Sequence, residues 1–411
     1  MSIKDNFPSV GPSLSLNFAR SKTLDPRITF SRSSVGTHMD ENGLIVSAAT
    51  DEPRFDYKYE SGVVKSLGLL VEEQRTNILE QSVVTTSNWT GGTSNTTYSN
   101  LSLNALGIFP GVEVTSTTGE AWHRRTTGYN VPFVSGTEYA ITFYYREGTS
   151  GYARLQFRYN SQESYVQGPA DGSSWSIQQT IGSITNVTTT LMDGQSTYKT
   201  TYSFTPNFTG DADMGIGIGI ASAGTTVIAL GGQVEEGEFP TSYIPPSGST
   251  KTRNPDNVTM TGTNFSDWYN QDEGTVYVSQ KLRAVQDTSR NNLVYLINGG
   301  GGSDYFYNPK SGDTNIFVFG DGGTNYSRFQ DGTNSTDTKT AFAYDVSGDD
   351  FKAYYNGIEA TNETTTNTPS ATSHTQLELG ANVNDKYCGH IQQFVYYPKR
   401  LTNTQLQNLT K

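Results

Sequence analysis

The sequence predicts an all-β protein with a small N-terminal β region, two β-sandwiches in tandem and a short C-terminal helix. The chain of 411 residues contains 42 Gly and 25 Tyr and is rich in Thr, Ser and Asn, residue types that favour pleated strands and tight turns. Apolar side chains recur at a period of two in many short segments, and only the last residues show helical spacing. The length suits roughly two to three domains.

Residues 1–80 form the first predicted region. Leu14 and Leu16 alternate with polar neighbours, as in a strand, and Asn42-Gly43 predicts a hairpin because these residues readily adopt the positive φ of a tight turn. The region has little apolar mass for its length. We therefore expect it to serve as a docking or anchoring region that does not fold alone.

Residues 81–245 form the first predicted sandwich. The apolar spacing over 139–146 predicts a strand buried on both faces, whereas residues 152–159 alternate cleanly between an apolar and a polar face. Strands separated by turn residues, without helical spacing, indicate a β-sandwich. Residues 246–270 follow as a predicted linker, because prolines surround a Ser-Gly-Ser run near its start.

Residues 271–411 repeat this pattern and form the second predicted sandwich. Asn356-Gly357 marks another tight hairpin turn. Close to the C-terminus, Thr402 can cap a helix on which Leu406 and Leu409 lie three residues apart. The sequence contains no repeat of 20–50 residues and no heptad pattern, so we expect neither a β-helical spike nor a coiled-coil stalk.

The charge balance argues against nucleic acid as a partner. With 28 Lys+Arg against 40 Asp+Glu the formal net charge is −12, and the chain lacks the basic cluster that phosphate binding requires. No apolar run reaches the ~18 residues of a membrane-spanning helix, so we expect no membrane insertion. Cys388 is the single cysteine, which excludes an intrachain disulfide and a multi-thiolate metal site.

One run near the N-terminus and one in the central region resemble segments that recur in bacteriophage virion proteins, mostly tail-fibre-like or tail-associated ones. The first run is LDPRITFSRSS at 24–34, continued by DEPRFDY at 51–57 and GLLVEEQRTN at 68–77. The second, QVEEGEFPTSYIP at 233–245, is similar to the closing strand of a carbohydrate-binding-module-like jelly roll in the same proteins.

The C-terminal region resembles a concanavalin A-like (laminin G-like) sandwich. The residues that carry this resemblance are AYYNG at 353–357, LG at 379–380 and GHI at 389–391, followed by the final helix. This fold is shared by proteins of many functions, so it indicates architecture more than activity.

The resemblance implies a structural protein of the virion, associated with the tail, that displays glycan-binding sandwiches for attachment to the host surface. Residues 1–80 would contact other virion proteins, and a host-surface glycan would be the ligand. Such a protein is made in the host cytoplasm and assembled on the particle. Tail fibres of this kind are often trimers, so a homo-oligomer is expected. Two alternatives stay open: a purely architectural capsid-decoration or tail-collar protein, and a polysaccharide depolymerase.

Sugar recognition needs flat aromatic faces beside polar groups that bond hydroxyls. Candidates in the middle region are aromatic or arginine side chains, namely Trp89, Trp122, Tyr152, Arg154 and Trp175. In the last region Tyr305 and Tyr307 follow a tetraglycine run that could present them on a loop. The alternative for each aromatic residue is that it fills or covers the sandwich core.

The sequence predicts no enzyme, no cofactor and no metal ion. No Glu is followed by Asp two positions later, so the Glu-x-Asp-x-x-Glu strand of laminarinase-like enzymes is absent. None of the four His residues lies near a Gly-x-Ser-x-Gly motif, and His390, in an apolar strand, fits a buried structural residue. Loop aspartates lack EF-hand spacing, and turns favour Asp in any case.

Overall fold

The computed structural model describes residues 7–89, 91–92, 94–119, 121–124, 131–219, 222–246, 248–283, 294–297, 305–310, 314–321, 324–331, 336–361, 363–365, 374–380 and 387–411. Within these ranges nearly all regular structure is antiparallel β-sheet, which confirms the all-β fold class. The two helices found there are short, and neither is long and apolar enough to cross a membrane.

The N-terminal region contributes seven strands. They are β1 Leu14–Asn17, β2 Thr29–Ser31, β3 Gly36–Met39, β4 Ile45–Ala48, β5 Arg54–Glu60, β6 Val63–Glu72 and β7 Arg75–Asn77. The hairpin predicted at Asn42-Gly43 joins β3 to β4, and Gly43 has a φ of 79°. The positive φ explains why glycine suits this turn.

The central region contains thirteen strands. They are β8 Gly91–Gly92, β9 Thr96–Asn100, β10 Val112–Ser116, β11 Ala121–Arg124, β12 Val131–Phe133, β13 Tyr139–Glu147, β14 Tyr152–Tyr159, β15 Gln162–Pro169, β16 Ser176–Gln179, β17 Gly182–Leu191, β18 Thr197–Pro206, β19 Gly210–Ile218 and β20 Thr226–Glu236. They form two sheets, ordered β17-β18-β13-β20-β10-β9 and β16-β15-β14-β19-β11-β8, which we name the middle sandwich.

The middle sandwich buries an aromatic core between its two sheets. Phe157 of one sheet stacks on Phe204 of the other with ring centroids 5.3 Å apart, and Phe133 contacts both rings edge-on. Residues 139–145 are buried along their whole length, as the sequence predicts for a strand covered on both faces. Tyr145 faces this core, whereas Tyr144 faces away from it.

The last region holds the remaining elements. They are β21 Lys251–Arg253, β22 Asn257–Thr261, α1 Thr263–Ser266, β23 Glu273–Leu282, β24 Val294–Ile297, β25 Tyr305–Lys310, β26 Thr314–Asp321, β27 Thr324–Asp331, β28 Asp337–Asp345, β29 Asp350–Tyr355, β30 Ile358–Glu359, β31 Glu363–Thr365, β32 Gln376–Leu379, β33 Cys388–Tyr397 and α2 Asn403–Thr410. The predicted C-terminal helix is α2, capped by Thr402.

The second sandwich is built from both ends of the chain, and we name it the split sandwich. One sheet runs β30-β29-β28-β23-β33-β6-β5, with β1 also pairing with β33, and the other runs β2-β22-β32-β24-β25-β26-β27-β31. Leu16 and Leu69 from the N-terminal region lie in one core with Val276 and Phe394. These side chains are 3% exposed or less, so the core depends on both ends of the chain.

This pairing divides the chain differently from the sequence-based boundaries. Strands β1, β2, β5 and β6 belong to the split sandwich, β7 pairs with β20 and β21 of the middle sandwich, and β3 and β4 form a hairpin of their own, so residues 1–80 are not a separate module. The segment 246–270, expected to be a linker, contains β21, β22 and α1, and β22 pairs with both β2 and β32. Pairing between strands far apart in the sequence leaves no local signal, which explains the difference.

Candidate functional site

A cleft of about 210 Å³ lies where the hairpin β3–β4, strand β5, the middle sandwich and the split sandwich meet. We name it the junction cleft. Its described lining combines tyrosine rings, hydroxyl groups and ionisable side chains: Thr37, His38, Asp56, Tyr57, Lys58, Tyr59, Tyr144, Lys199, Ser242, Tyr243, Arg283 and His390. Tyr59 and Met192 also line an adjoining hollow of about 390 Å³.

The middle sandwich supplies one wall of the cleft from the outer face of a sheet. Tyr144 on β13 and Lys199 on β18 are cross-strand partners, so their side chains lie side by side. Their sequence neighbours Tyr145 and Tyr198 face the core, which directs Tyr144 and Lys199 outward. Tyr144 is 3% exposed and packs against Phe109 at a centroid distance of 5.0 Å.

Strand β5 supplies the opposite wall. The pairing of β5 with β6 shifts register between Asp56 and Tyr57, and such a bulge re-aims the following side chains. Tyr57, Lys58 and Tyr59 all line the cleft, and all three are half-buried. The phenolic oxygen of Tyr59 lies beside Gly194 in the loop between β17 and β18. A Cβ added to Gly194 would be 3.2 Å from this oxygen.

The split sandwich supplies a histidine, an arginine and their carboxylate partners. His390 Nε2 donates to Asp56 Oδ2 at 2.7 Å, and the backbone N–H of Met39 donates to Asp56 Oδ1 at 2.8 Å. Arg283 places Nε 3.1 Å from Glu72 and a terminal nitrogen 3.8 Å from Asp56. His390 is thus a buried, hydrogen-bonded residue, as its apolar sequence context predicts.

The Asp56 carboxylate is held in its charged form. Burial alone would raise its pKa, but the hydrogen bond from His390 and the nearby Arg283 guanidinium lower the pKa below its ordinary value. The ordinary value for an aspartate is about 3.9. At neutral pH, Asp56 is therefore an anion whose charge is already balanced by its neighbours.

Lys199 has the opposite electrostatic environment. Burial and the positive charge of Arg283 both disfavour its ammonium form and lower its pKa to about 8. Glu235, Asp56 and Glu72 act in the other direction but more weakly. Within the described part of the chain, no carboxylate lies in ion-pair distance of Lys199 Nζ.

Next to the cleft lies a buried charge cluster made of Arg32, Arg54, Glu72, Arg253 and Asp256. Arg54 binds both Glu72 and Asp256, Arg32 binds Asp256 at 3.0 Å, and Arg253 lies 3.5 Å from Glu72. All five side chains are fully buried. Burial would raise the pKa of Glu72, but the surrounding guanidinium groups hold it well below its ordinary value.

Three of the five cluster residues come from the runs that resemble phage virion proteins. Arg32 lies in 24–34, Arg54 in 51–57 and Glu72 in 68–77. A charged residue directly after the apolar triplet 69–71 was the signal that could have found this cluster, because a buried charge requires a partner. The junction cleft itself had no such signal, since its walls come from segments distant in the sequence.

Four of the seven predicted glycan-binding side chains are described, and they differ in exposure. Trp89 is 0% exposed within the core of the middle sandwich, where its Nε1 donates to the carbonyl oxygen of Gln81. Trp175 packs against the same core and donates to Thr189 Oγ1 at 3.1 Å. Tyr152 is 36% exposed at the start of β14, so it offers a ring to solvent, and Trp175 is half-buried.

Arg154 lies on the polar face of β14 but is not open to solvent. It is 3% exposed, its guanidinium lies 3.8 Å from the ring centre of Tyr165, and it donates to Gln156 and Glu163. The expected open polar face is therefore closed at Arg154, because neighbouring side chains satisfy and cover the guanidinium. The side chains of Trp122, Tyr305 and Tyr307 lie outside the part of the structure that is described.

The described lining of the junction cleft is suited to binding a polar ligand. The tyrosines and Thr190 offer hydroxyl groups, and Tyr57 and Tyr59 carry half-buried rings. The hydroxyls of Thr37 and Ser242 already bond within the protein, Thr37 to the carbonyl oxygen of Tyr243 and Ser242 to Glu72 and Arg54. Asp56 is the one carboxylate among the described lining residues, so the facing carboxylate pair of a glycosidase is not assembled from them. Over the described ranges, no group of three or more His, Cys, Asp or Glu side chains could hold a metal ion.

No family model matches the chain, and no curated protein matches it either. Among solved structures, Trypanosoma rangeli sialidase in complex with sialic acid is similar at 7% identity and a TM-score of 0.29, over 98% of this chain and 72% of that chain. A mutant of that sialidase displaying trans-sialidase activity gives 8% identity and a TM-score of 0.30, over 95% and 99%. Mouse laminin alpha1 chain, domains LG4-5, is similar at 7% identity and a TM-score of 0.23, over 79% of this chain and 95% of that chain. These TM-scores lie below 0.5, so no conclusion about activity rests on them.

Proposed function

We propose that the protein is a non-enzymatic structural protein of a bacteriophage particle, associated with the tail, that attaches to host-surface glycans through the junction cleft. Two features support this proposal. The runs at 24–34, 51–57 and 68–77 resemble virion proteins; the second supplies Asp56 and Tyr57 of the cleft lining, and all three supply residues of the buried charge cluster beside it. The all-β scaffold holds these walls in fixed positions, as a contact surface requires.

The observation that carries the glycan-binding part of the proposal is the lining of the junction cleft. Half-buried Tyr57 and Tyr59 line the cleft together with the hydroxyl-bearing Thr190 and the ammonium-bearing Lys199. Sugars bind by stacking C–H groups on aromatic faces while polar groups bond their hydroxyls. The adjoining hollow at Tyr59 extends the cleft in the direction of Arg146 and Asp193, which gives room for a second sugar unit.

A pair of tyrosine variants tests where the glycan binds. We expect Tyr57→Ala to weaken retention on immobilised host-surface polysaccharide about tenfold, equivalent to ~1.4 kcal/mol, because a stacking face is lost. Tyr57→Phe should keep binding, since it keeps the ring. The measurement is biolayer interferometry of the purified full chain, with thermal unfolding recorded for each variant.

Tyr152→Ala is the matched control, because Tyr152 is an exposed tyrosine outside the cleft. It should bind as the wild type does. If Tyr152→Ala abolishes binding and Tyr57→Ala does not, the ligand lies on β14 of the middle sandwich and the assignment to the junction cleft is wrong. Absence of any retention by the wild type, with normal adsorption of particles lacking the protein, would contradict the attachment function.

A second candidate function, a purely architectural one, is favoured by one observation. Trp89 and Arg154, two of the side chains expected to display a sugar-binding surface, are buried within the middle sandwich. A capsid-decoration or tail-collar protein needs no such surface. A map of the intact particle in which neighbouring subunits cover the junction cleft would favour this role over attachment.

A further inference from the structure

The charge of the junction cleft is unbalanced in favour of cations. Lys199, Arg283 and Lys58 line it together with the two histidines His38 and His390, and Asp56 is the one carboxylate among its described lining residues. Asp56 is already committed, because it accepts hydrogen bonds from His390 and Met39 and lies 3.8 Å from Arg283. The cleft therefore has a positive charge that its own lining does not neutralise.

Lys199 is the source of this imbalance. Lys58 pairs with Glu60 at the surface, and Arg283 pairs with Glu72 at 3.1 Å. Lys199 has no corresponding anion among the described residues, although it is half-buried on the outer face of β18. A half-buried ammonium group without an anionic partner is costly, and an incoming anion would relieve that cost.

Residues that carry hydroxyl groups flank Lys199 on both sides in its sheet. Its cross-strand neighbours are Tyr144 on β13 and Thr190 on β17, and both line the cleft beside it. A carboxylate has about four lone-pair sites and binds best where several donors converge. Lys199 and the Tyr144 and Thr190 hydroxyls provide such a set on one sheet face.

We propose that the junction cleft selects sugars that carry a carboxylate, with the carboxylate paired to Lys199 and the sugar ring held against the tyrosines of β5. This inference rests on the proposed function and narrows it to acidic glycans. Neutral and acidic sugars both supply a ring for stacking and hydroxyl groups for hydrogen bonds. The carboxylate of an acidic sugar supplies the one contact that a neutral sugar lacks.

The direct test compares D-glucuronate with D-glucose and with the methyl ester of glucuronate, by NMR titration of the full chain at pH 7. We expect glucuronate to bind at least tenfold more tightly than the other two sugars, and Lys199→Met to remove this difference. Lys65→Met is the matched control, because Lys65 pairs with Glu60 on the surface and does not line the cleft. It should leave the preference intact.

A second measurement separates loss of binding from loss of folding. Because burial and Arg283 lower the pKa of Lys199 to about 8, its charge destabilises the folded state at neutral pH. Lys199→Met should therefore raise the thermal unfolding midpoint while it abolishes the preference for glucuronate. A variant that loses the preference only because it unfolds would show a lower midpoint.

The affinity should depend on pH with a defined sign. The protonated form of Lys199 binds the carboxylate, so the affinity for glucuronate should be highest near pH 6.5 and fall as the pH rises through about 8. Other ionisable groups facing Lys199 are Arg283, Glu235, Asp56 and Glu72, with His38, His390 and Lys58 elsewhere on the cleft. None of these has an ordinary pKa near 8. The fall should be absent in Lys199→Met.

The outcomes distinguish the inference from the function on which it rests. Equal binding of glucuronate and glucose, both weakened by Tyr57→Ala, would overturn the acidic preference and keep glycan binding in the cleft. A glucuronate preference that survives in Lys199→Met would overturn the role of Lys199. Failure of all three sugars, together with unchanged retention of Tyr57→Ala on polysaccharide, would overturn both proposals.

Discussion

Arg54 is the residue at which three distant segments of the chain are joined. Its guanidinium donates to Glu72 at 2.7 Å, to Asp256, to Ser242 Oγ at 2.8 Å and to the carbonyl oxygen of Thr37 at 3.0 Å. A planar guanidinium with five N–H donors can satisfy several acceptors at once, which a lysine cannot. The arginine therefore fixes the hairpin and both sandwiches around the junction cleft.

Removal of Arg54 should be strongly destabilising. We expect Arg54→Met to lower the free energy of unfolding by about 3–5 kcal/mol, because Glu72 and Asp256 would each lose a buried counterion. Urea denaturation followed by tryptophan fluorescence measures this loss. Lys65→Met, at a surface ion pair, should change the free energy by no more than about 0.5 kcal/mol. An Arg54→Met protein as stable as this control would mean that the buried charge cluster does not support the fold.

Among the elements, α2 shows how a short helix is held in place. Thr402 Oγ1 accepts from the backbone N–H of Gln405, and Gln405 Oε1 accepts from the backbone N–H of Thr402, which forms a capping box. Leu406 is fully buried in a cluster with side chains of β23, β28 and β33, including Val395. An eight-residue helix is marginal alone, so the cap and this contact stabilise it.

The contribution of the Thr402 cap to stability can be measured. We expect Thr402→Ala to lower the free energy of unfolding by about 1 kcal/mol, because it leaves a helix N–H without its side-chain acceptor. Thr404→Ala, at an exposed position inside the same helix, should be neutral or slightly stabilising. Urea unfolding of both variants is the measurement, and equal values would show that the capping box contributes nothing.

Local patterns predicted elements well and long-range pairing poorly. The turns at Asn42-Gly43 and Asn356-Gly357 were predictable, because the glycines and Asn356 adopt positive φ in hairpins. The polar face of β14 was predicted, but its closure at Arg154 was not, since Tyr165 and Glu163 reach it only after β14 pairs with β15. Polar character in the sequence does not reveal exposure when neighbouring polar side chains pair with each other.

The same limit applies to the candidate site. Strand β18, which carries Lys199, has Tyr198, Tyr202 and Phe204 at the even spacing of a strand, but nothing in that strand indicates that β5 and β33 come to lie opposite Lys199. The pairing of Asp56 with His390 spans 334 residues. A contact of that separation depends on the complete topology, so the cleft could be found only in the folded molecule.

For the whole molecule, the chain topology makes one sandwich independent of the other. The middle sandwich is continuous in sequence, with its core drawn from residues 79–234, whereas the split sandwich needs both ends of the chain. One sheet of the middle sandwich also contains β7 and β21, so we expect a fragment of residues 75–253 to fold and to unfold cooperatively. A fragment of residues 271–411 should not fold, because it lacks β1, β5 and β6 and leaves unpaired the edge of β33 to which β1 and β6 bond.

Circular dichroism melts and the amide dispersion of NMR spectra check this expectation. Addition of a synthetic segment covering residues 7–77 to the 271–411 fragment should restore part of the order, since it supplies the missing strands. A cooperative thermal transition of the 271–411 fragment alone would mean that the C-terminal strands fold without the N-terminal strands, and would contradict this expectation.

The position of β33 at the centre of the split sandwich also dictates when that sandwich can form during synthesis. Leu14 pairs with Tyr396, and Leu70 pairs with His390, so the earliest strands leave the ribosome long before their partner exists. At ~5–20 residues per second this wait is on the order of 20–80 s. During that time β6 can pair with β5, but its edge toward β33 and the apolar side chains of Leu69, Leu70 and Val71 lack their partners from the C-terminal strands. A nascent chain of this protein should therefore bind the cell's holding chaperones until its last strand emerges.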